Sequence, residues 1–184
     1  ADILDLYDLG RQFDIVECQG TLHHMHDPLA GWKVLTNCLR PGGLMKISLY
    51  SKLARQNISM LRNKIEQKKI IGDSSGMKAI RSEQRTANNA ESSNILASFD
   101  FFSLGPFRDL LFHVQEHQFT QKQIKKCLTE LNLLFCGYQP EVVGRFKLCN
   151  HGADDMYNLD KWNDFEEKYQ LTFAGTPPFW CQKL

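Results

Sequence analysis

The chain of 184 residues is one domain's worth, long enough to bury a sizeable core, and its 22 Lys and Arg offset 21 Asp and Glu to a net charge of +1. That balance excludes a general attraction to nucleic acid or to membrane, and no stretch reaches the roughly 20 apolar residues of a membrane helix. Composition is that of an ordinary globular protein, and six scattered cysteines without a CxxC pair read as reduced thiols of a cytoplasmic protein.

The opening "ADILDLYDLG" alternates acidic and apolar residues, lacks an initiating Met and carries no secretory signal, so it reads as a loop inside a domain. Phe13–Cys18 is a short, nearly all-apolar strand of the kind covered on both faces in a parallel sheet. Asp27 and Pro28 open a helix as N-cap and first helical residue, and Leu29, Trp32, Leu35 and Leu39 form its buried stripe. "RPGG" (Arg40 to Gly43) is expected to end that helix as a turn, and Leu44 to Tyr50 is the next strand. Strand, helix and strand with short connections make a right-handed βαβ unit, hence parallel pairing.

Residues 51–106 change character and form a helical insert. "SKLARQNISMLRNKIEQKK" is helical, "IGDSSG" breaks it, and "MKAIRSEQRTANNAESSN" is helical at first and then loop-like. From Ser51 to Ala90 there are nine Lys and Arg against three Asp and Glu. The economical reading is a solvated helical face; the sharper one is a lid that attracts an anionic substrate. A nucleic-acid groove would need aromatic residues interleaved with the basic ones, and this tract has none.

Beyond the insert, Thr120 and Gln123 form a capping box, with Phe119 placed to staple onto Ile124. Ile124, Leu128 and Leu131 continue the apolar face, Asn132 ends the helix, and Leu133 to Gln139 reads as a strand. "NLDKWNDFEEKYQ" is amphipathic, with Trp162, Phe165 and Tyr169 on one side, and "FWCQK" closes the chain as a short strand. Trp32, Trp162 and Trp180 read as core residues rather than stacking platforms.

Ligands of open α/β sheets bind outside the carboxyl ends of the strands, which points to Gln19 through His26 before any family is considered. Gly20 would let a ligand approach the backbone closely, and Leu22 would pack into the sheet. His23, His24 and His26 crowd one turn and diverge, so they make a poor metal set. "HVQEH" (His113 to His117) matches an inverted zinc-peptidase signature, but that chemistry needs His113 and His117 on one helical face, and Thr120 starts a new helix just beyond.

Together, "FDIVECQGTLHHMHDPLAGWKVLTNCLRPGGLMKISLYS" resembles the central segment of class I S-adenosylmethionine-dependent methyltransferases. The likeness rests on the Asp-Ile-Val strand, the Leu-His-His turn, the Asp-Pro helix start, Leu-Arg-Pro-Gly-Gly and the strand that follows. "FTQKQIKKCLTELNLLFCGY" is similar to the next helix and strand of that family. The resemblance implies the C-terminal part of a Rossmann-like α/β domain spanning 1–184: a partial, mostly parallel sheet whose last strand is antiparallel. It implies S-adenosylmethionine as cofactor, with the Asp2 carboxylate on the adenine amino group, Ile3 against the ring, and Gln19 and Gly20 beside the methionine half. His23 or His24 would face the methyl-transfer channel as a base, a role that suits an imidazole side chain. The substrate would be a small-molecule or protein methyl acceptor; for His113 and His117 the readings are side chains that face it or plain structural or surface histidines. The family's glycine-rich loop and the acid that ends its second strand belong to parts that precede the position of Asp2. Strand 13–18 would then expose an edge that invites self-association. A non-catalytic methyltransferase-like module, binding a protein partner through that edge, is the alternative.

Overall fold

Parallel pairing of two strands organises the first part of the molecule. In the computed structural model, β1 (Phe13–Cys18) runs parallel to β2 (Leu39–Ile47), with α1 (Pro28–Asn37) crossing between them. The structure describes residues 2–87 and 89–184, with nothing assigned to the side chain of Phe99. Ala1 and Asn88, which fall in the expected opening loop and insert, lie outside the described residues. The remaining elements are α2 (Gln56–Gln67), α3 (Ser74–Thr86), α4 (Ala90–Leu96), α5 (Leu104–Phe112), α6 (Gln121–Glu130), β3 (Leu133–Tyr138), α7 (Pro140–Lys147), α8 (Leu159–Lys168) and β4 (Phe179–Lys183). The opening segment, expected as loop, winds into a 3-10 turn over Leu4–Asp8.

The sheet order is β1-β2-β4-β3, and β4 is antiparallel to both of its neighbours. β1, β2 and β3 therefore share one direction and the last strand opposes them. Side chains alternate across the sheet. Cys18, Met45, Ile47, Phe135, Tyr138, Phe179 and Cys181 point into the core. Trp162 stacks on Phe146 at 3.9 Å between ring centroids, and Tyr138 lies 4.9 Å from Trp162 and 4.7 Å from Phe173. Burying each such ring is worth about 1.5–3 kcal/mol.

The opposite face is open, contrary to the expectation that Phe13–Cys18 is covered on both sides. Ile15, Leu44, Gln182 and Leu134 align in one cross-strand row, with Ile15 57% and Leu134 51% exposed. Trp32 and Trp162 are core residues as expected, but Trp180 lies half-buried on this open face, near the Lys46 ammonium.

The end of α1 and both ends of β2, expected over Leu44 to Tyr50 and found over Leu39–Ile47, differ from the sequence reading. The α1 N-terminus is as expected, with the Asp27 carboxylate accepting the Leu29 and Ala30 N–H groups at 3.0 Å. The helix, however, ends at Asn37, and "RPGG" lies inside β2 rather than forming a turn ahead of it. Phe13 pairs with Leu39 and Ile15 already with Leu44, so the extra residues bulge, with Gly42 at a φ of +77°. Burying Leu39 completely as a strand residue outweighs the local turn signal. α7 was not legible in advance, although Pro140 at its first turn suits a helix start.

The chain divides into two compact units: residues up to Ala54 together with Gln115–Leu184, and Arg55–Val114. The second unit is helical and has its own core of Leu61, Ile65, Met77, Ile80, Phe107 and Leu110, among others. Within it α4 forms where the sequence read as loop, because the Asn89 side chain accepts the Ser92 N–H at 2.8 Å and Ile95 is buried. Among the described residues no helix is long and apolar enough to cross a membrane. All six cysteines are free thiols.

A buried polar chain ties α6, β3 and α8 to the segment that follows β2. The Tyr138 hydroxyl donates to Gln121 Oε1 at 2.6 Å, Gln121 Nε2 donates to Glu166 Oε2 at 3.0 Å, and the Ser51 hydroxyl donates to Glu166 Oε1. Glu166 is 1% exposed, and burial pushes its carboxyl above the usual range, against the lowering effect of these two donors.

Two outcomes follow. A Cβ on Gly43 would sit 2.9 Å from the Arg40 carbonyl oxygen and 3.1 Å from that of Asp14. Gly43→Ala should therefore destabilise by about 1–3 kcal/mol in urea unfolding, and an unchanged midpoint would refute the bulged pairing. Glu166 holds its proton more tightly folded than unfolded, so its stabilising contribution is complete below the ordinary carboxyl range and lost as pH rises through the raised value. The stability of the parent chain relative to Glu166→Gln should fall over that window; a difference that is flat or rises with pH would contradict the burial.

Candidate functional site

The exits of β1 and β2 lie side by side because the strands are parallel and in register to Cys18 and Ile47. Gly20 turns the chain off β1 at a φ of +74°, a conformation that favours glycine, and its N–H donates to Ser48 Oγ at 3.0 Å. Nothing lies within 4 Å of where a Gly20 Cβ would be, so the backbone is open to approach. Leu22–His24 then forms a 3-10 turn, with Leu22 fully buried as expected.

The two histidines of this turn have different surroundings. His23 is 0% exposed, and its ring lies 3.7 Å from the Tyr50 ring at an interplanar angle of 30°. His24 is half-buried, edge-on to His23 at 4.5 Å and to Tyr50 at 5.5 Å. His24 Nδ1 lies 3.0 Å from the Gln115 carbonyl oxygen. A carbonyl only accepts, so Nδ1 carries the proton and the lone pair of the neutral ring falls on Nε2. His26 is exposed.

The partner of His24 comes from an extended strap, residues 115–119, that crosses both strand exits. The His117 N–H donates to the His23 carbonyl at 2.7 Å, and Gln115 Nε2 donates to the Met25 carbonyl at 3.2 Å. On the β2 side, the Phe119 N–H donates to the Tyr50 carbonyl at 2.8 Å and the Lys52 N–H to the Phe119 carbonyl at 3.0 Å. At its far end the strap runs into α6 through the Thr120–Gln123 capping box expected from the sequence.

The predicted site residues therefore divide. Gln19, Gly20, His23, His24 and His117 come together at one corner. Gln19 is exposed there, with its Nε2 3.3 Å from Glu17 Oε2. His113 belongs to the other unit, where its carbonyl accepts from the Arg62 guanidinium. α5 ends at Phe112, so "HVQEH" is not helical and the zinc-peptidase reading loses the helical face it requires. Among the described residues no group of three His, Cys, Asp or Glu could hold a metal ion. Asp2 and Ile3 share no hydrogen bond with the corner among the described residues. Asp2 Oδ1 accepts the Leu4 N–H at 3.0 Å and its N–H donates to Asp5, while Ile3 packs against the core. Ser48, Tyr50 and Gln115 were missed. The first two lie at the exit of the next strand, where the strand-exit rule already points; Gln115 gives no local signal.

A nucleoside-type cofactor is compatible with what this chain offers. Gly20 gives an open backbone, and Asp2 Oδ2 makes no hydrogen bond among the described residues that would stop it accepting an amino group.

No family model matches the chain. An uncharacterized protein of a Synechococcus strain is 28% identical over 91% of this chain and 43% of its own length. PKMT2 from Rickettsia typhi, solved with AdoHcy, superposes with a TM-score of 0.60 at 14% identity, over 99% of this chain and 37% of that one. A second structure of PKMT2 gives a TM-score of 0.64 at 13% identity with the same coverage. The chain thus spans about two fifths of the length of these relatives, and the likeness is one of fold, an α/β arrangement shared with PKMT2.

Proposed function

We propose that this chain forms the acceptor-side part of an S-adenosylmethionine-dependent methyltransferase, with His24 as general base. The observation that carries the reading is the His24 ring, held by the Gln115 carbonyl beside the open Gly20 backbone at a strand exit of a methyltransferase-like sheet. The cofactor supplies a methyl group already activated on a sulfonium. The protein's part is then to align an acceptor and remove its proton, and alignment alone supplies several kcal/mol.

His24 Nε2 takes the proton from an oxygen or nitrogen acceptor as the new bond forms, and the Gln115 carbonyl stabilises the resulting imidazolium through Nδ1–H. His23, fully buried on Tyr50, positions the turn rather than meeting the acceptor. The Gln19 and Gly20 backbone would hold the methionine half of the cofactor, and the Asp2 carboxylate would accept from the adenine amino group with Ile3 against the ring. The presence of AdoHcy in one PKMT2 structure supports this choice of cofactor.

A second reading is a non-catalytic module that engages a protein, or a second copy of itself, through β1. It is favoured by the edge position of that strand and the exposure of Phe13 and Ile15.

Calorimetry with S-adenosylhomocysteine on the 184-residue chain, and on any longer natural polypeptide that contains it, separates the two. Binding by either supports methyl transfer; binding by neither favours the module. In the binding form, His24→Gln should keep affinity within about twofold and slow transfer to phenol or amine acceptors by about 10²–10⁴. Loss of affinity with an unchanged rate would overturn the base assignment.

A further inference from the structure

We propose that a groove along α3 in the second unit is a docking site for an acidic peptide segment carrying an apolar side chain. Lys78, Arg81 and Arg85 are spaced at i, i+3 and i+7 on α3, which places them on one helical face. That face forms one wall of a groove of about 1040 Å³, and Leu96, Phe101 and Phe102 form the other.

The cations of this wall differ from those at the end of α2. Lys64 and Lys68 pair with Glu91 and Glu83, at 3.7 and 3.1 Å. Lys78 and Arg85 have no acidic partner among the described residues. Arg81 is held in place: its guanidinium donates to the Ser103 carbonyl at 2.8 Å and lies 4.5 Å from the Phe107 ring centroid. Arg81 Nε is buried and makes no hydrogen bond among the described residues. A fixed, partly desolvated cation attracts an incoming carboxylate more strongly than a solvated one.

Spacing selects the occupant. Lys78 and Arg85 are about 10 Å apart along the helix axis, the span of about three residues of extended peptide and too far for one small anion to bridge. The opposite wall offers the exposed Phe102 ring (73%) over a floor that includes buried Phe101, which suits an apolar side chain between two carboxylates. Single-stranded nucleic acid would need several open rings among the cations, and of the two phenylalanines only Phe102 is open. The groove lies within one unit, so this inference goes beyond methyl transfer and does not rest on it.

The test is fluorescence anisotropy of the whole chain, without cofactor, with a short labelled peptide of alternating Glu and Phe. Binding should weaken about tenfold or more in Lys78→Glu/Arg85→Glu, and several-fold in Phe102→Ala. The same charge change at Lys122→Glu/Lys126→Glu, exposed on α6, should leave affinity within about twofold. Circular dichroism confirms that each variant is folded. No binding, an equal loss in both charge variants, or tighter binding of an oligothymidylate would each overturn the proposal.

Discussion

The segment Gln115–Phe119 hydrogen-bonds to the turn that leaves β1 and to the backbone that leaves β2, and the candidate site depends on this double attachment. Parallel pairing brings the two exits together but leaves their outgoing backbones pointing away from the sheet, with groups still to be satisfied. The strap meets part of that need: its Phe119 carbonyl accepts the Lys52 N–H, and its own N–H groups and the Gln115 amide donate to the carbonyls of His23, Tyr50 and Met25. Without it the Leu22–His24 turn would keep its tether to Ser48 through Gly20 but lose the bond that sets the His24 tautomer.

That attachment turns a crowded histidine sequence into two different groups. His23 is committed to packing: fully buried on Tyr50, it contributes shape and the carbonyl that anchors the strap. His24 is half-buried, with one ring nitrogen fixed by a backbone carbonyl. A base oriented by an acceptor on its other nitrogen is a recurrent catalytic arrangement, because the acceptor selects the tautomer and stabilises the protonated ring. Burial, by contrast, raises the Cys18 thiol at the end of β1 above its ordinary range, which makes a thiolate nucleophile there a poor alternative.

Features written locally were legible in the sequence. Phe13–Cys18, the Asp27–Pro28 helix start and the Thr120–Gln123 capping box each need only neighbouring residues, and each forms where expected. Features set by distant partners were not. "RPGG" reads as a turn until pairing with β1 draws Leu39 into the sheet. Glu166 lies four residues after Trp162 on the buried side of an amphipathic helix, and its partners Ser51 and Gln121 are brought to it only by the fold. Gln115 meets His24 across 91 residues of chain, so no window of sequence contains the contact. The strand-exit rule points to the half of the corner that follows β1; Ser48 and Tyr50, at the exit of β2, fall under the same rule once the two strands are paired.

The most direct test of this arrangement is the protonation pattern of one ring. Long-range proton–nitrogen correlation spectra of the chain, with histidine labelled at both ring nitrogens and recorded where the ring is neutral, report which nitrogen of His24 carries hydrogen. The geometry requires it on Nδ1, with Gln115 as acceptor and Nε2 basic. Hydrogen on Nε2, or a ring exchanging freely between the two forms, would contradict both the strap's role and the assignment of His24 as base.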